Sequence, residues 1–293
     1  GTTAMLASLV SAPVADLVHQ VRQLVDALED EALGPVRGIH LEGPFLAPGY
    51  RGAHDAEALC APTTDAVRDL LDAGAGWISM VTLAPELPGA DDAIEQLRAA
   101  GVVVAVGHTA ADYDQATRAF RAGAGVLTHA CNAMPGVHHR APGPLVAALE
   151  APGCHLEMIL DGLHLHDAWA RRLLVDAGGR AVLVTDAMAA AGAADGHYRL
   201  GGLDVVVADG AARLADGGSI AGSTLRMDQA LRRTACGLGL GVVAAAHAAA
   251  TAPAAAMGWD LGRIDIGVTA SIVVADDDLG VERVMRDGRW VRD

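Results

Sequence analysis

Residues 102–109 read Val-Val-Val-Ala-Val-Gly-His-Thr, an apolar run of strand length that Gly107 stops and a histidine follows. A run without polar alternation describes a strand covered on both faces, as in a parallel sheet packed between helices. The same pattern repeats on either side of it. Upstream, Ala4–Val10 opens the chain as a strand, and Val14, Leu17, Val21, Leu24, Val25 and Leu28 recur at three- and four-residue steps as one helix face. Val36–Leu41 is the next strand, followed by a helix over 65–74, the strand Trp77–Leu83 and a helix over 90–100. Downstream come a helix over 112–122, the strand Val126–His129, a helix over 143–150, the strand His155–Leu160, a helix over 167–177 and the strand Ala181–Thr185. Regular alternation of this kind predicts repeated βα units and a parallel sheet.

Seven strands fit a (β/α)8 TIM-type barrel short of one strand, or a doubly wound sheet. The strand ends choose between them. Glu42, His108, His129, His164 and Asp186 follow the carboxyl ends of five different strands. A barrel gathers those ends at one mouth, whereas an open sheet spreads them along a line. A barrel over residues 1–259 is therefore expected, with a Gly- and Asp-rich insertion of short β-like runs at 203–222 and helices over 224–238 and 242–250 completing its wall. Residues 260–293 change character. Ser271–Ala275 and Val281–Met285 read as short antiparallel strands joined by Asp276-Asp277-Asp278 and ending at Gly288-Arg289-Trp290-Val291. This is too little to fold alone and is expected to pack onto other strands.

The chain has 293 residues, about twice the ~150 of a single ordinary domain. Its 21 basic side chains are all Arg, against 36 acidic ones, for a net charge of −15. That balance argues against a nucleic-acid or anionic-membrane surface. The absence of Lys removes a P-loop lysine, a Schiff-base lysine and a carboxylated-lysine metal bridge. Aromatics are 3% of the chain, so the core is built from Ala, Val, Leu and Ile. Cys60, Cys131, Cys154 and Cys236 form no CxxC pair, which excludes a zinc ribbon and fits a reducing compartment. No apolar run reaches the ~18 residues of a membrane span, and the first residues lack the charged start of a signal peptide. A cytoplasmic protein is expected. The chain opens directly on a strand with no initiator Met, so a preceding segment is expected too.

Alone, each polar strand-end residue has an ordinary explanation as a solvated or hydrogen-bonded side chain. Together they carry chemistry. Glu42, in His40-Leu41-Glu42-Gly43-Pro44, with His108 and His129, which follow apolar strands among small neighbours, supplies one carboxylate and two imidazoles. That set suits a hydrolytic metal site with an open position for water. Asp186, in Thr185-Asp186-Ala187-Met188, is the candidate acid/base, taking a proton from the attacking water and returning it to the leaving amine. His54 follows Arg51-Gly52-Ala53, where a donor can reach a polarised carbonyl oxygen. Asn132-Ala133 and His138-His139-Arg140, before a Pro-Gly helix start, suggest anion recognition, since Arg offers phosphate a bidentate fork. The residues leave the metal open among Zn, Fe, Mn and Co, which all accept nitrogen and oxygen ligands.

These motifs, with Gly52-Ala53-His54, Gly107-His108-Thr109, Asn132-Ala133-Met134-Pro135, Asp161-Gly162-Leu163-His164 and Ala221-Gly222-Ser223, resemble in order those of the N-acetylglucosamine-6-phosphate deacetylases of the amidohydrolase superfamily. The resemblance implies a cytoplasmic homodimer that hydrolyses N-acetylglucosamine 6-phosphate to glucosamine 6-phosphate and acetate with a divalent metal ion, zinc first among the candidates. It implies Glu42, His108 and His129 as metal ligands and Asp186 as acid/base. Ala53, His54, Asn132, Ala133, Arg140, His164, Ile220, Ala221 and Gly222 match substrate positions, with Arg140 serving a phosphate pocket completed across the dimer interface. It further implies that 260–293 is the C-terminal part of a small β-sandwich domain, and that the family's first barrel strand, with its His-x-His pair, has no match here. Two other readings remain: a metal-dependent amidohydrolase acting on an N-acyl amino acid or cyclic amide, and a non-catalytic phosphosugar-binding derivative.

Overall fold

The computed structural model describes residues 1–216 and 218–292. Seven parallel strands form one sheet in chain order: β1 (Met5–Val10), β2 (Val36–Glu42), β3 (Ile78–Leu83), β4 (Val103–Val106), β5 (Val126–Leu127), β6 (His155–Ile159) and β7 (Ala181–Val184). The helices α1 (Val14–Glu29), α2 (Thr64–Gly74), α3 (Ala90–Ala99), α4 (Tyr113–Ala122), α5 (Gly143–Glu150) and α6 (Asp167–Asp176) connect successive strands. Strand order equal to chain order, with a helix in every crossover, is the half-closed wall of a TIM-type barrel rather than a doubly wound sheet, whose order reverses at a switch point. Among the described residues β1 and β7 are the edges of this sheet.

Each helix is held by its own apolar stripe. In α1 the buried residues are Leu17, Val21, Val25 and Leu28, at steps of four, four and three. Leu17 and Val21 are fully buried against the sheet, worth about 1.5–3 kcal/mol each. Asp112 and Gln115 form a reciprocal capping box at the start of α4, satisfying two of its free amides. At the end of α5 the Arg180 guanidinium donates to the carbonyls of Ala148, Leu149, Ala151 and Cys154, so one side chain closes off a helix terminus.

Beyond β7 the structure departs from the expected boundaries. The insertion starts earlier than residue 203, as a three-stranded antiparallel sheet of β8 (Gly196–Leu200), β9 (Leu203–Ala208) and β10 (Ala211–Leu214). In β8 the polar His197 and Arg199 alternate with half-buried Tyr198 and Leu200, a one-sided pattern with too little apolar content to stand out. Conversely, β5 ends at Leu127 and leaves His129 beyond the strand, because the backbone turns left-handed there with φ 27. The helical wall runs over Met227–Gly237 and Gly241–Ala256, each with a wider π turn inside it. The C-terminal segment holds three strands in a separate antiparallel sheet: β11 (Ile272–Ala275), β12 (Val281–Arg286) and β13 (Arg289–Arg292). Among the described residues these pair with one another and not with other strands. Arg37 on β2 donates to Asp287 in the β12–β13 turn at 2.6 Å, one tie between this sheet and the large one.

Candidate metal centre

The carboxyl ends of β2, β4 and β5 deliver three buried side chains to one point. Glu42 Oε1 lies 3.1 Å from His108 Nε2 and 3.0 Å from His129 Nε2, and the two imidazole nitrogens are 3.0 Å apart. In a flat sheet with strands ~4.8 Å apart, β2 and β5 would stand ~14 Å from each other. The contact therefore exists only because the sheet curls. His108, His129 and Asp186 all take left-handed backbone angles, with φ 46, 27 and 48. For residues with a Cβ this conformation costs about 1–3 kcal/mol, strain of the kind concentrated at functional sites.

Hydrogen bonds to the backbone fix which nitrogen carries the proton in His108 and in His54. His108 Nδ1 donates to the Tyr50 carbonyl at 2.8 Å, so Nε2 presents a lone pair to Glu42 and His129. Gly52 (φ +56) lets the 50–52 loop lie against this ring, since a Cβ there would come 3.1 Å from His108 Cε1. His54 has the opposite tautomer. Its Nδ1 accepts the Ser11 backbone N–H at 3.2 Å, leaving a proton on Nε2, 3.7 Å from Glu42 Oε2. Glu42, His54 and His108 also bring potential ligand atoms within 4.8 Å of one another. His54 turns its proton inward as a donor, whereas His129 Nε2 lies 3.0 Å from both Glu42 Oε1 and His108 Nε2. His129 Nδ1 is buried with no hydrogen-bond partner.

Charge agrees with this division. Burial works to raise the Glu42 carboxyl, but hydrogen bonds from His108, His129 and His54 outweigh it and hold the group well below its ordinary range. Burial works to lower His129, yet the bond to Glu42 overcomes it and pushes the imidazole up to about 9. A carboxylate and two inward-facing imidazole nitrogens within 3.1 Å of one another thus draw positive charge into the cluster, and a divalent cation fits that donor set. Beneath it runs a polar floor. Ser8 Oγ meets His40 Nδ1 at 3.0 Å, His40 Nε2 meets Thr82 Oγ1 at 2.9 Å, and Thr82 meets Thr128 Oγ1 at 2.9 Å. Gly107 permits that last contact, because a Cβ there would come 2.7 Å from Thr128 Cβ and 2.8 Å from Thr82 Cγ2. Burial pulls His40 down to about 4, so it stays neutral.

Asp186 follows β7 on the rim of the cluster. Burial first, then the negative charge of Glu42, raises its carboxyl, while His129, His164 and His54 pull the other way. A carboxyl raised by burial holds a proton more readily than an exposed one, which suits acid/base work. Its carbonyl accepts the Ser223 N–H at 2.7 Å, and Met188 N–H returns a bond to the Ser223 carbonyl at 3.0 Å. These bonds bring Gly222 beside Asp186, whose carbonyl a Cβ on Gly222 would approach to 3.0 Å, while Ile220 bridges to Arg213 on β10. Ala221 and Ala53 pack with Met188, Ala190, Val205, Val207 and Ala212, so the small β8–β10 sheet buttresses both the 220–222 segment and the loop bearing His54.

The other expected positions lie around this centre to different degrees. Asn132 turns its amide back onto the carbonyls of His129 and Ala130, at 3.2 and 3.3 Å. Ala133 accepts the Thr109 N–H with its carbonyl at 3.1 Å, tying the loop after β5 to the loop after β4. Arg140 is exposed, and its guanidinium donates to His139 Nε2 at 2.8 Å. His164 is bonded to Asp161 at 2.7 Å. Sequence reasoning missed Glu157. This carboxyl stands on β6 between buried Leu156 and Met158, accepts the His129 backbone N–H at 3.4 Å and is pushed up to about 7, chiefly by burial. A single Glu within an apolar strand is the signal that could have found it.

Comparison with known proteins matches residues 1–291 to the amidohydrolase family. The chain is 36% identical over 296 residues to N-acetylglucosamine-6-phosphate deacetylase of Vibrio furnissii, covering 100% of this chain and 74% of the relative. It is 37% identical to N-acetylgalactosamine-6-phosphate deacetylase of Escherichia coli O157:H7, over 99% of this chain and 77% of the relative. Among solved structures, a mutant N-acetyl-D-glucosamine-6-phosphate deacetylase from Mycobacterium smegmatis in complex with N-acetyl-D-glucosamine-6-phosphate superposes with a TM-score of 0.96 at 44% identity, covering 100% of this chain and 77% of the other.

Proposed function

The chain belongs to the amidohydrolase family, and we propose that it hydrolyses the acetamide of N-acetylglucosamine 6-phosphate, releasing acetate and glucosamine 6-phosphate. The observation that carries this reading is the meeting of Glu42, His108 and His129 within 3.1 Å of one another beside Asp186. Glu42, His108 and His129 hold one divalent ion, zinc by the chemistry of a two-nitrogen, one-carboxylate set. When bound, the ion supplies a Lewis acid that polarises the carbonyl and acidifies a water molecule.

The protein's own groups do the rest. His54 donates its Nε2 proton to the acetamide oxygen as negative charge develops there. Asp186 takes a proton as water oxygen bonds to the carbonyl carbon. It gives that proton to the nitrogen as the C–N bond breaks, so the sugar leaves as a neutral amine. Ala53, Asn132, Ala133, His164 and the segment Ile220 to Gly222 line the sugar's place, and Arg140 receives the phosphate. Its exposure on the 136–140 loop supports a homodimer in which the phosphate pocket is completed by the neighbouring subunit. Among the described residues no helix is long and apolar enough to cross a membrane. The free thiols of Cys60, Cys131, Cys154 and Cys236 support a reducing compartment, and we place the enzyme in the cytoplasm. Residues 1–259 act as the hydrolase barrel and 260–293 as part of a small β-sandwich.

The similar identity to a galactosamine-type relative favours a second reading, in which the C4 epimer is the substrate. Acetate release separates the two. Faster turnover of N-acetylglucosamine 6-phosphate than of its galactosamine epimer or the unphosphorylated sugar is expected. Preference for an N-acyl amino acid would overturn the proposal.

A further inference from the structure

Where β6 ends, His164, one of the residues lining the sugar's place, is paired with Asp161, to which the scheme above gives no role. His164 Nδ1 lies 2.7 Å from Asp161 Oδ2, and the two side chains retain 7% and 11% of their exposure. The other carboxylate oxygen accepts the backbone N–H of Leu163 at 2.8 Å and of His164 at 2.9 Å. One aspartate therefore ties down both the turn and the ring it carries. We propose that Asp161 is a positioning residue: by accepting from Nδ1 it fixes the tautomer and orientation of His164, so that Nε2 is the atom offered to an oxygen of the bound sugar phosphate.

A carboxylate cannot donate, so the proton between the two groups belongs to Nδ1 of His164. Hydrogen bonds from His164 and from the turn amides outweigh burial and hold the Asp161 carboxyl below its ordinary value, which keeps it an acceptor. Nε2 is then the remaining polar atom of the ring. His164 stands near enough to act electrostatically on the Asp186 carboxyl, as His129 and His54 do, which puts the ring on the reacting side of the mouth. The geometry parallels that of a metal-bound or catalytic histidine oriented through its second nitrogen by a carboxylate. Here the oriented atom faces substrate. The partner oxygen is a ring hydroxyl or a phosphate oxygen.

Asp161→Asn tests this with little change of shape. The Asn oxygen can still accept the Leu163 and His164 amides, while its NH2 would donate to Nδ1 and move the ring proton to Nε2. Nitrogen-15 chemical shifts of His164 in the full chain are expected to show a protonated Nδ1 in the wild type and a bare Nδ1 in Asp161→Asn. With melting temperature and metal content unchanged, kcat/KM on N-acetylglucosamine 6-phosphate is expected to fall at least about 10-fold, the scale of a lost hydrogen bond involving a charged group. The double variant Asp161→Asn/His164→Gln should be no worse than His164→Gln alone. A loss of equal size on unphosphorylated N-acetylglucosamine identifies a hydroxyl partner, and a loss confined to the phosphorylated sugar identifies phosphate; both keep the positioning role. A wild-type His164 protonated at Nε2 alone, or a double variant with additive losses, overturns it. The proposal rests on the deacetylase reading for its substrate. Should the wild type release no acetate, that reading falls, while the nitrogen shifts still decide what Asp161 does to His164.

Discussion

The Nε2 atoms of His108 and His129 stand 3.0 Å apart, each also about one hydrogen bond from the same oxygen of Glu42. Because His108 has its proton on the far nitrogen, two lone pairs would face each other here unless His129 carries a proton or a cation binds between them. The metal-free cluster takes the proton, with His129 held up to about 9. Proton and metal ion therefore compete for one place.

Metal affinity is accordingly expected to rise with pH up to about 9, the value for His129. Calorimetric titration near pH 7.5 in buffers of different ionisation enthalpy should register release of about one proton per ion bound. Binding that is independent of buffer and pH would mean that His129 is not a ligand.

Asp186→Asn preserves size and removes the base. Turnover is expected to fall at least ~10²-fold, the lower scale for lost acid/base catalysis, with metal content and substrate affinity retained. Near-normal turnover would remove Asp186 from the proton transfers.

Arg140→Ala should act on the phosphate alone. A rise in KM for N-acetylglucosamine 6-phosphate is expected, with little change on the unphosphorylated sugar, because a guanidinium fork recognises phosphate. Equal losses on both sugars would place Arg140 elsewhere.

Glu157 makes metal-free stability depend on pH. Its folded value of about 7 lies above the ordinary 4.5. The folded state thus binds the proton more tightly, and the stabilisation present below pH 4.5 is lost as pH rises towards 7. Glu157→Gln cannot ionise. With a chelator present it is expected to raise the melting temperature by at least about 2 °C relative to wild type at pH 8 and much less at pH 4.5. An equal change at both pH values would show that the effect is packing rather than charge.

The barrel wall was legible because its strands are apolar on both faces and its helices carry clean stripes, as Val102–Val106 and Leu17, Val21 and Leu28 illustrate. Glu42, His108 and His129 stood out for a related reason: a polar residue closing an apolar run is costly unless it has a use. Other features depend on three-dimensional relationships that periodicity does not encode. The left-handed angle that cuts β5 short of His129 is a property of the turn, not of the apolar run. His54 gained its meaning from the Ser11 amide, 43 residues away in sequence, which sets its tautomer. Glu157 was hidden inside a strand whose neighbours are apolar, and the Asp161–His164 pairing is a contact that the motif Asp161-Gly162-Leu163-His164 does not spell out. In β8, alternation was present but diluted by His197 and Arg199.

Glu42, His108 and His129 are expected to share one divalent ion. Anomalous diffraction from crystals of the zinc-loaded chain tests it directly. A single strong peak is expected at about 2.0–2.2 Å from a Glu42 oxygen, His108 Nε2 and His129 Nε2. A peak on other residues, or none from a preparation that releases acetate, would contradict it.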